Sequence, residues 1–541
     1  MRLTSSFYPL KYTTRVSKSQ ALLLSHGIIP QENPQAVFVN ILSSSLEKNL
    51  TEIKKRLPSE DILSYTFATA DQTACAIVYA DGIVNKEILG DLIARPLSRL
   101  NLQELSPQKS KNEQGRDAFI LDIIQKSALF PELKEQTKTE EVCKEVLDGN
   151  ALLLIDGINT GLIVGAKFLP VRAVTEPPTD VTVKGPREGF IEDIKTNMAL
   201  IRKRLKTPKL QFESMRVGRN SDTIVSLCWL EGTSKEGVKE EIKEKLQTLD
   251  IDFIPDSSYI AAFLSPRKHS IFHTIGTTEK PDVFTAKLSE GRVGVLVDGS
   301  PIALTAPYLL MEDLQSSEDY FISPFMATVF RALRVIALLI ALLLPAFYVS
   351  AQLYKLQLLP LGLTLTIASS IRELPLSPNL EMFVVLFLLE TLKEASIRMP
   401  KYVGMSLSVV GALVLGETAV SAGFLSTPAI IVVALSGICL YTVPDFVETG
   451  SLLRWLFLLV AGSIGPFGIV LTAAFLLCYL LSADCFGAPA LAPFSPLNRR
   501  DLRDSIVKYN TFTLTKRPKT FRLKNKTRLR VQPNNKKGGT T

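Results

Sequence analysis

Cysteine and histidine are scarce in this chain. Its 541 residues hold six Cys, with no C-x-x-C pair, and three His: His26, His269 and His273. That spacing supports neither a disulfide framework nor a zinc site, so the cysteines read as small apolar side chains. His269 and His273 stand four apart, but Pro266 precedes them and no nearby carboxylate completes a metal centre. Also missing are a Gly-x-Gly-x-x-Gly turn after a strand, a Walker phosphate loop and a His-Glu-x-x-His helix. Scattered histidines leave Ser-His-Asp chemistry nothing to rest on. No enzyme activity, metal or cofactor is expected. Residues 1–27 scatter Arg and Lys among Ser and Tyr without a central apolar block, which is not the pattern of a secretory signal. The first 320 residues are therefore expected to stay in the cytoplasm.

What is present is uneven. Mean hydropathy is +0.21 and charged residues make up 21%, which is apolar for a soluble chain of this length. The net charge of +8 comes from the C-terminus. From Leu497 onward fourteen Lys/Arg face two Asp, which leaves the preceding residues at −4. The apolar excess sits in the runs 335–349, 356–370, 403–423, 428–443 and 455–482. A bilayer core needs about 20 apolar residues per helix, so four or five full spans are expected. Residues 356–373 and 381–401, broken by Pro360, Gly362 and several charges, read as one interrupted element. Arg331 and Arg334 before the first run, and the basic stretch after the last, place both flanks on the cytoplasmic side.

The first half mixes helical and strand signals. Residues 37–55, 189–205 and 235–249 carry apolar positions at helical spacing. An apolar strand ending in Asp-Gly recurs at 76–82, 151–157 and 293–299. The second and third are each followed by another apolar run, which predicts a hairpin. The expected architecture is an α/β cytoplasmic module of two subdomains followed by an all-α polytopic membrane domain. The boundaries read as an N-terminal segment (1–36), subdomain 1 (37–172), a Pro-rich linker (173–189), subdomain 2 (190–320), the membrane domain (321–487) and a basic cytoplasmic tail (488–541).

One soluble stretch stands out. In 175–190, TEPPTDVTVKGPREGF, two prolines set an extended approach and Gly185-Pro186 turns the chain, with Arg187, Glu188 and Gly189 at the mouth of a helix. It reads either as a capped linker or as a contact with a neighbouring copy or partner subunit. GPREGF, continued by IEDIKTNMALIRKRLKTPKL (191–210), resembles the signature of the A subunit of bacterial spore germinant receptors. The likeness runs on through MRVGRNSDT (215–223), LDIDFIPDSSYI (249–260), GRVGVLVDGSPIAL (291–304) and SSEDYF (316–321). It then takes in LLLPAFYV (342–349), EASIRMPK (394–401), VVGALVLGETAVSAG (409–423) and IIVVAL (430–435), covering about residues 35 to 497. PRKHSIFHTI (266–275) is more basic than the family's usual Pro-rich loop, and the basic tail is longer.

The resemblance implies a nutrient receptor in the inner membrane of the bacterial endospore. Its partners would be a permease-like B subunit, which holds the germinant, and a lipoprotein C subunit. It further implies that A subunits assemble, as a homo-oligomer of about five copies, into a nutrient-gated pathway for monovalent cations. The alternative role is a non-conducting scaffold that passes the signal onward.

The membrane residues can be weighed apart from that likeness. Ser408, Ala412, Gly416, Ala419 and Gly423 fall on one helical face with Glu417 beside it. Small faces let helices approach closely in lipid, and a Glu417 ring would favour cations in a pore. Glu390, Glu394 and Arg398, four apart, read as a vestibule lining or as a surface ion-paired stripe. The basic tail is expected to meet anionic lipid or stay unstructured, and nucleic acid is not expected.

Overall fold

The computed structural model describes residues 41–101, 133–168, 184–235, 237–267, 270–354, 360–371, 374–398, 409 and 414–529. The segment 1–36, His26, His269, Ser408, Ala412 and most of the Pro-rich linker lie outside them.

Strands that are apolar throughout belong in sheets covered on both faces, and two such sheets form here. β1 (Ile62–Ala68), β2 (Ala74–Ala80), β3 (Leu133–Gln136), β4 (Ala151–Ile155) and β5 (Gly161–Val164) pair antiparallel in the order β1-β2-β4-β5-β3. β6 (Leu210–Val217), β7 (Thr223–Leu230), β8 (Gly276–Thr278), β9 (Val293–Val297) and β10 (Ala303–Ala306) pair in the order β6-β7-β9-β10-β8. The same order thus occurs twice. Both expected hairpins form, with Gly157 (φ +89°) between β4 and β5 and Gly299 (φ +83°) between β9 and β10.

The helices of this half are α1 (Leu46–Arg56), α2 (Thr139–Leu147), α3 (Ile194–Arg204), α4 (Val238–Thr248), α5 (Ser257–Leu264) and α6 (Pro281–Ser289). Successive strand residues point to opposite faces. In β4, Leu152 and Leu154 meet α1 and α2, while Ala151, Leu153 and Ile155 meet a helical segment at 86–98. In β9, Leu296 packs with α3 and α6, and Val293, Val295 and Val297 pack with α4 and α5. α3 begins later than its apolar spacing predicts. Asp193 accepts a hydrogen bond from the Thr196 amide (2.8 Å), and that cap sets the first turn. α1 likewise starts at Leu46, and Ile41 instead bridges Lys138. The two sheets are joined through Arg202 of α3, whose buried guanidinium grips Asp61, just before β1, at 2.8 and 3.0 Å.

The C-terminal region is helical: α7 (Pro324–Tyr354), α8 (Leu361–Ile371), α9 (Pro378–Arg398), α10 (Thr427–Leu440), α11 (Val447–Ile464) and α12 (Pro466–Leu481). Among the described residues two helices, Pro324–Tyr354 and Pro444–Ile464, are long and apolar enough to cross a membrane, fewer than the runs suggest. Most of the run 403–423 lies outside the described residues, and elsewhere the reason is local. Gly465 (φ +75°) and Pro466 cut the run 455–482 into α11 and α12. α10 and α12 remain apolar but have 14 and 16 residues. α7 is the central helix and packs against α9, α10, α11 and α12. Leu339, Phe387, Ile431, Leu459 and Phe475 leave large side chains on the outside of this bundle.

The basic segment after α12 departs from the tail expected of it. Phe521 is 1% exposed and Leu523 is buried, packed with Leu309, Ala488 and Ala492. Cys485 and Phe486 complete the core under β9. Arg522 and Lys524 alternate outward between these apolar anchors, so composition alone concealed a folded strip.

Candidate functional site

The GPREGF stretch is a seam within the chain. Gly185 (φ +130°) lies so close to Phe321 that a Cβ there would stand 2.8 Å from the ring. The neighbouring Lys184 amide donates to Glu318 (3.1 Å). Glu188 pairs with Lys203 and Arg204 of α3, each at 2.8 Å. Burial resists ionisation of Glu188, but these two cations hold its carboxyl below the usual range. Phe190 then anchors the stretch edge-to-face on Phe284 of α6. Pro186, Arg187 and Gly189 connect these contacts, which link the second sheet to the turn that leads into α7.

That turn carries a charge interlock. Asp319 is fully buried and accepts from Arg331 Nε (2.9 Å) and from both terminal nitrogens of Arg334 (2.8 and 3.0 Å). Arg331, 1% exposed, also donates to the Asp504 carboxylate (3.1 Å) and to the Ser505 carbonyl (2.7 Å). The first turns of α7 are therefore bonded to residues that follow the last helix. Beyond their expected topogenic role, Arg331 and Arg334 are structural links. Lys508 sits 3.7 Å from the Tyr320 ring centroid. Burial lowers its pKa and raises that of Tyr320.

Beside the interlock lies a cavity of about 310 Å³, lined by Glu290, Arg292, Tyr320, Arg503, Asp504 and Phe521 among others. Burial raises the Glu290 pKa. Burial also opposes ionisation of Glu312, but Arg292 and Lys287 pull that carboxyl below its ordinary range.

A second link between the halves runs through the loop 270–274. Phe272 packs against Phe446 and Tyr479, and Thr449 donates to the Ile271 carbonyl. His273 approaches Asp313 at 4.0 Å, and this carboxylate holds its imidazole pKa above the ordinary 6.5. Of the unusually basic loop 266–275, Lys268 and His269 lie outside the described residues.

Inside the bundle, Glu390 is part of no surface stripe. It accepts from Arg454 of α11 (2.6 Å) and pairs with Lys393. Arg454, 1% exposed, also reaches Ser436 of α10 (3.1 Å), whose hydroxyl donates to the Ala341 carbonyl of α7 (2.7 Å). Four helices meet at this guanidinium. Sequence reasoning missed it because the apolar run was taken to begin at Trp455. A lone Arg bordering such a run was the available signal. Glu394 and Arg398 form an exposed pair at 2.6 Å, as a stripe would.

Ser408 and Ala412 lie outside the described residues. Gly416 is half-buried and Glu417 exposed, both within a π-turn at Val414–Thr418, and Ala419 begins a three-residue α-turn. A π-turn takes an extra residue per turn, so the single small face drawn on α-helical spacing does not continue through 414–418. Glu417 and Gly416 meet no neighbouring copy within one chain.

The cysteines behave as apolar side chains. Burial pushes the thiols of Cys75 and Cys485 up to about 12 and that of Cys143 to about 11. Among the described residues no group of three or more His, Cys, Asp or Glu is placed to hold a metal ion.

Comparison with known proteins bears on most of the chain. The family model described as Bacillus/Clostridium GerA spore germination protein matches residues 48–520. Spore germination protein KA of Bacillus subtilis is 32% identical over 493 residues, covering 90% of this chain and 89% of that protein. An uncharacterized membrane protein of the same organism, YfkQ, is 33% identical over 483 residues, covering 89% of this chain and 92% of its own length. The crystal structure of the N-terminal domain of the A subunit of the Bacillus megaterium spore germinant receptor GerK3 is 31% identical. It covers 50% of this chain and 98% of the solved one, with a TM-score of 0.39.

Proposed function

Because this chain belongs to the GerA family of spore germination proteins, with a role in spore germination, we propose that it is the A subunit of a nutrient receptor that conducts cations. In this reading several copies, about five, assemble in the inner membrane of the spore with the α/β sheets on the cytoplasmic side. A permease-like B subunit holds the nutrient, a lipoprotein C subunit completes the receptor, and the helical region opens a path for monovalent cations. The observation that carries the proposal is the pairing of an apolar-surfaced helical bundle with a buried charged interlock, Arg331–Asp319–Asp504. The bundle's outward Leu, Ile and Phe suit lipid better than water, and the interlock lets a movement of the α/β sheets be felt by α7. Exposed Glu417 would supply carboxylates to a shared pathway. The outward Lys and Arg of 516–528 suit an anionic bilayer surface.

The test is potassium flux from liposomes holding this chain with its two partner subunits, with and without nutrient. Nutrient-dependent flux that falls in Glu417→Gln and changes in Gly416→Leu is the expected result. Silence from a correctly assembled receptor, across a panel of nutrients, would instead favour a non-conducting scaffold that relays the signal.

A further inference from the structure

At the end of the bundle far from the sheets, a carboxylate stands in the protein interior without a cation among the described residues. Glu381, in the first turn of α9, is 1% exposed. Its Oε1 accepts the Ser426 backbone N–H (2.5 Å) at the N-cap of α10. Its Oε2 is buried and has no hydrogen-bond partner, and among the described residues Glu381 has no ion pair. Tyr348 of α7 lies beside it, with Gln352 one turn further along α7 next to Tyr348. Tyr348 lies within electrostatic reach of Glu381 and close to the side chains of Ser426 and Gln352, near enough for weak hydrogen bonds. Yet the Tyr348 hydroxyl and both polar atoms of the Gln352 amide are also buried with no hydrogen bond of full distance and angle.

This arrangement is costly as it stands. An ionised carboxylate in an apolar interior is unfavourable unless compensated, and three poorly served polar atoms near it add to the cost. The N-termini of α9 and α10 offset part of the charge, but α10 does so through Oε1 and leaves Oε2 unserved. Glu381 Oε2, Tyr348 Oη and Gln352 Oε1 are hard oxygen donors carrying one negative charge in all. Divalent cations of the calcium class draw on several carboxylates and six to eight oxygens, whereas one carboxylate with neutral oxygens balances a single positive charge.

We propose that Glu381, Tyr348 and Gln352 form a binding site for one alkali cation within the helical bundle. The site rests on the reading of this region as a cation pathway and assigns the residues that hold the ion. Glu381 Oε2 neutralises the ion and the phenol and amide oxygens replace water around it.

The test is equilibrium retention of radioactive rubidium by the full-length chain purified in detergent. The wild type should retain rubidium, with potassium displacing it and choline leaving it bound. Glu381→Gln keeps an acceptor for the Ser426 amide, so the α10 cap survives, and it should weaken retention about tenfold or more. Tyr348→Phe, which keeps the ring in place, should weaken it less. Unchanged melting temperatures in choline would show that both variants fold. Three results would each overturn the proposal: no retention by the wild type, equal retention by Glu381→Gln, or a protonated-carboxyl infrared band in potassium buffer that vanishes in that variant. Binding is read here without flux, so loss of the site with nutrient-gated flux intact leaves the channel standing. Binding without flux does the reverse.

Discussion

A guanidinium buried among four helices is stable only with its partners, and Arg454 draws on Glu390 and Ser436 together. Removing one side of such a pair leaves an uncompensated charge, at a cost of about 3–5 kcal/mol. Arg454→Met alone, or Glu390→Gln alone, should therefore lower the melting temperature of the detergent-solubilised chain strongly. The double variant should recover much of the loss, and simple additivity in that cycle would remove the coupling claimed for the pair. His273 offers a pH dependence. It faces Asp313, Asp445 and Glu448, and the nearby Tyr308 hydroxyl donates to Asp313 (2.6 Å). Its folded pKa is raised, so the stabilisation is complete below the ordinary 6.5 and is lost as pH rises through the folded value. Hydrogen exchange across 270–275 should thus quicken over that window relative to loops that do not titrate, and His273→Gln should flatten the change.

At the scale of elements, the GPREGF stretch is held by the fit of Gly185 under Phe321 and by the Glu188 pairs to α3. Gly185→Val adds a branched Cβ at a positive φ and against the ring. Limited proteolysis should then cut at 184–190, where the wild type resists, while β9 and β10 stay protected. Equal resistance in both proteins would show that the seam does not depend on this approach. The same comparison of elements shows what the sequence made legible. Hairpins at Gly157 and Gly299 were readable because a turn is decided by its own few residues. The strand order was not, since β2 pairs with β4 across more than seventy intervening residues and no local pattern marks that neighbour. Glu381 was visible as a charge opening an apolar run, but its isolation depends on Ser426 and Tyr348, which only the folded bundle brings near. Of the small face at 408–419, Ser408 and Ala412 lie outside the described residues, and across 414–418 the backbone takes a π-turn that no spacing in the sequence announces.

For the molecule as a whole, the segment after α12 is as much a part of the α/β half as the strands are. Ending the chain at residue 497 removes Asp504 from Arg331, and Phe521 from the Arg292 guanidinium that stacks 4.8 Å away. Two buried arginines lose partners, and the truncated protein should aggregate or lose protease resistance in both halves. A truncated chain that remains as stable as the full one would mean these contacts carry little weight. The placement of Cys485, Phe486 and Leu523 has a further consequence, for the order of events at the ribosome. The second sheet is not closed by residues that precede α7. Its last core pieces arrive only after every helix of the bundle has been made, so the helices form an insertion in a domain whose two ends must meet. During synthesis that domain waits half-built while α7 to α12 are made, and its completion reports that the chain leaving the last helix has come back to the start of the first.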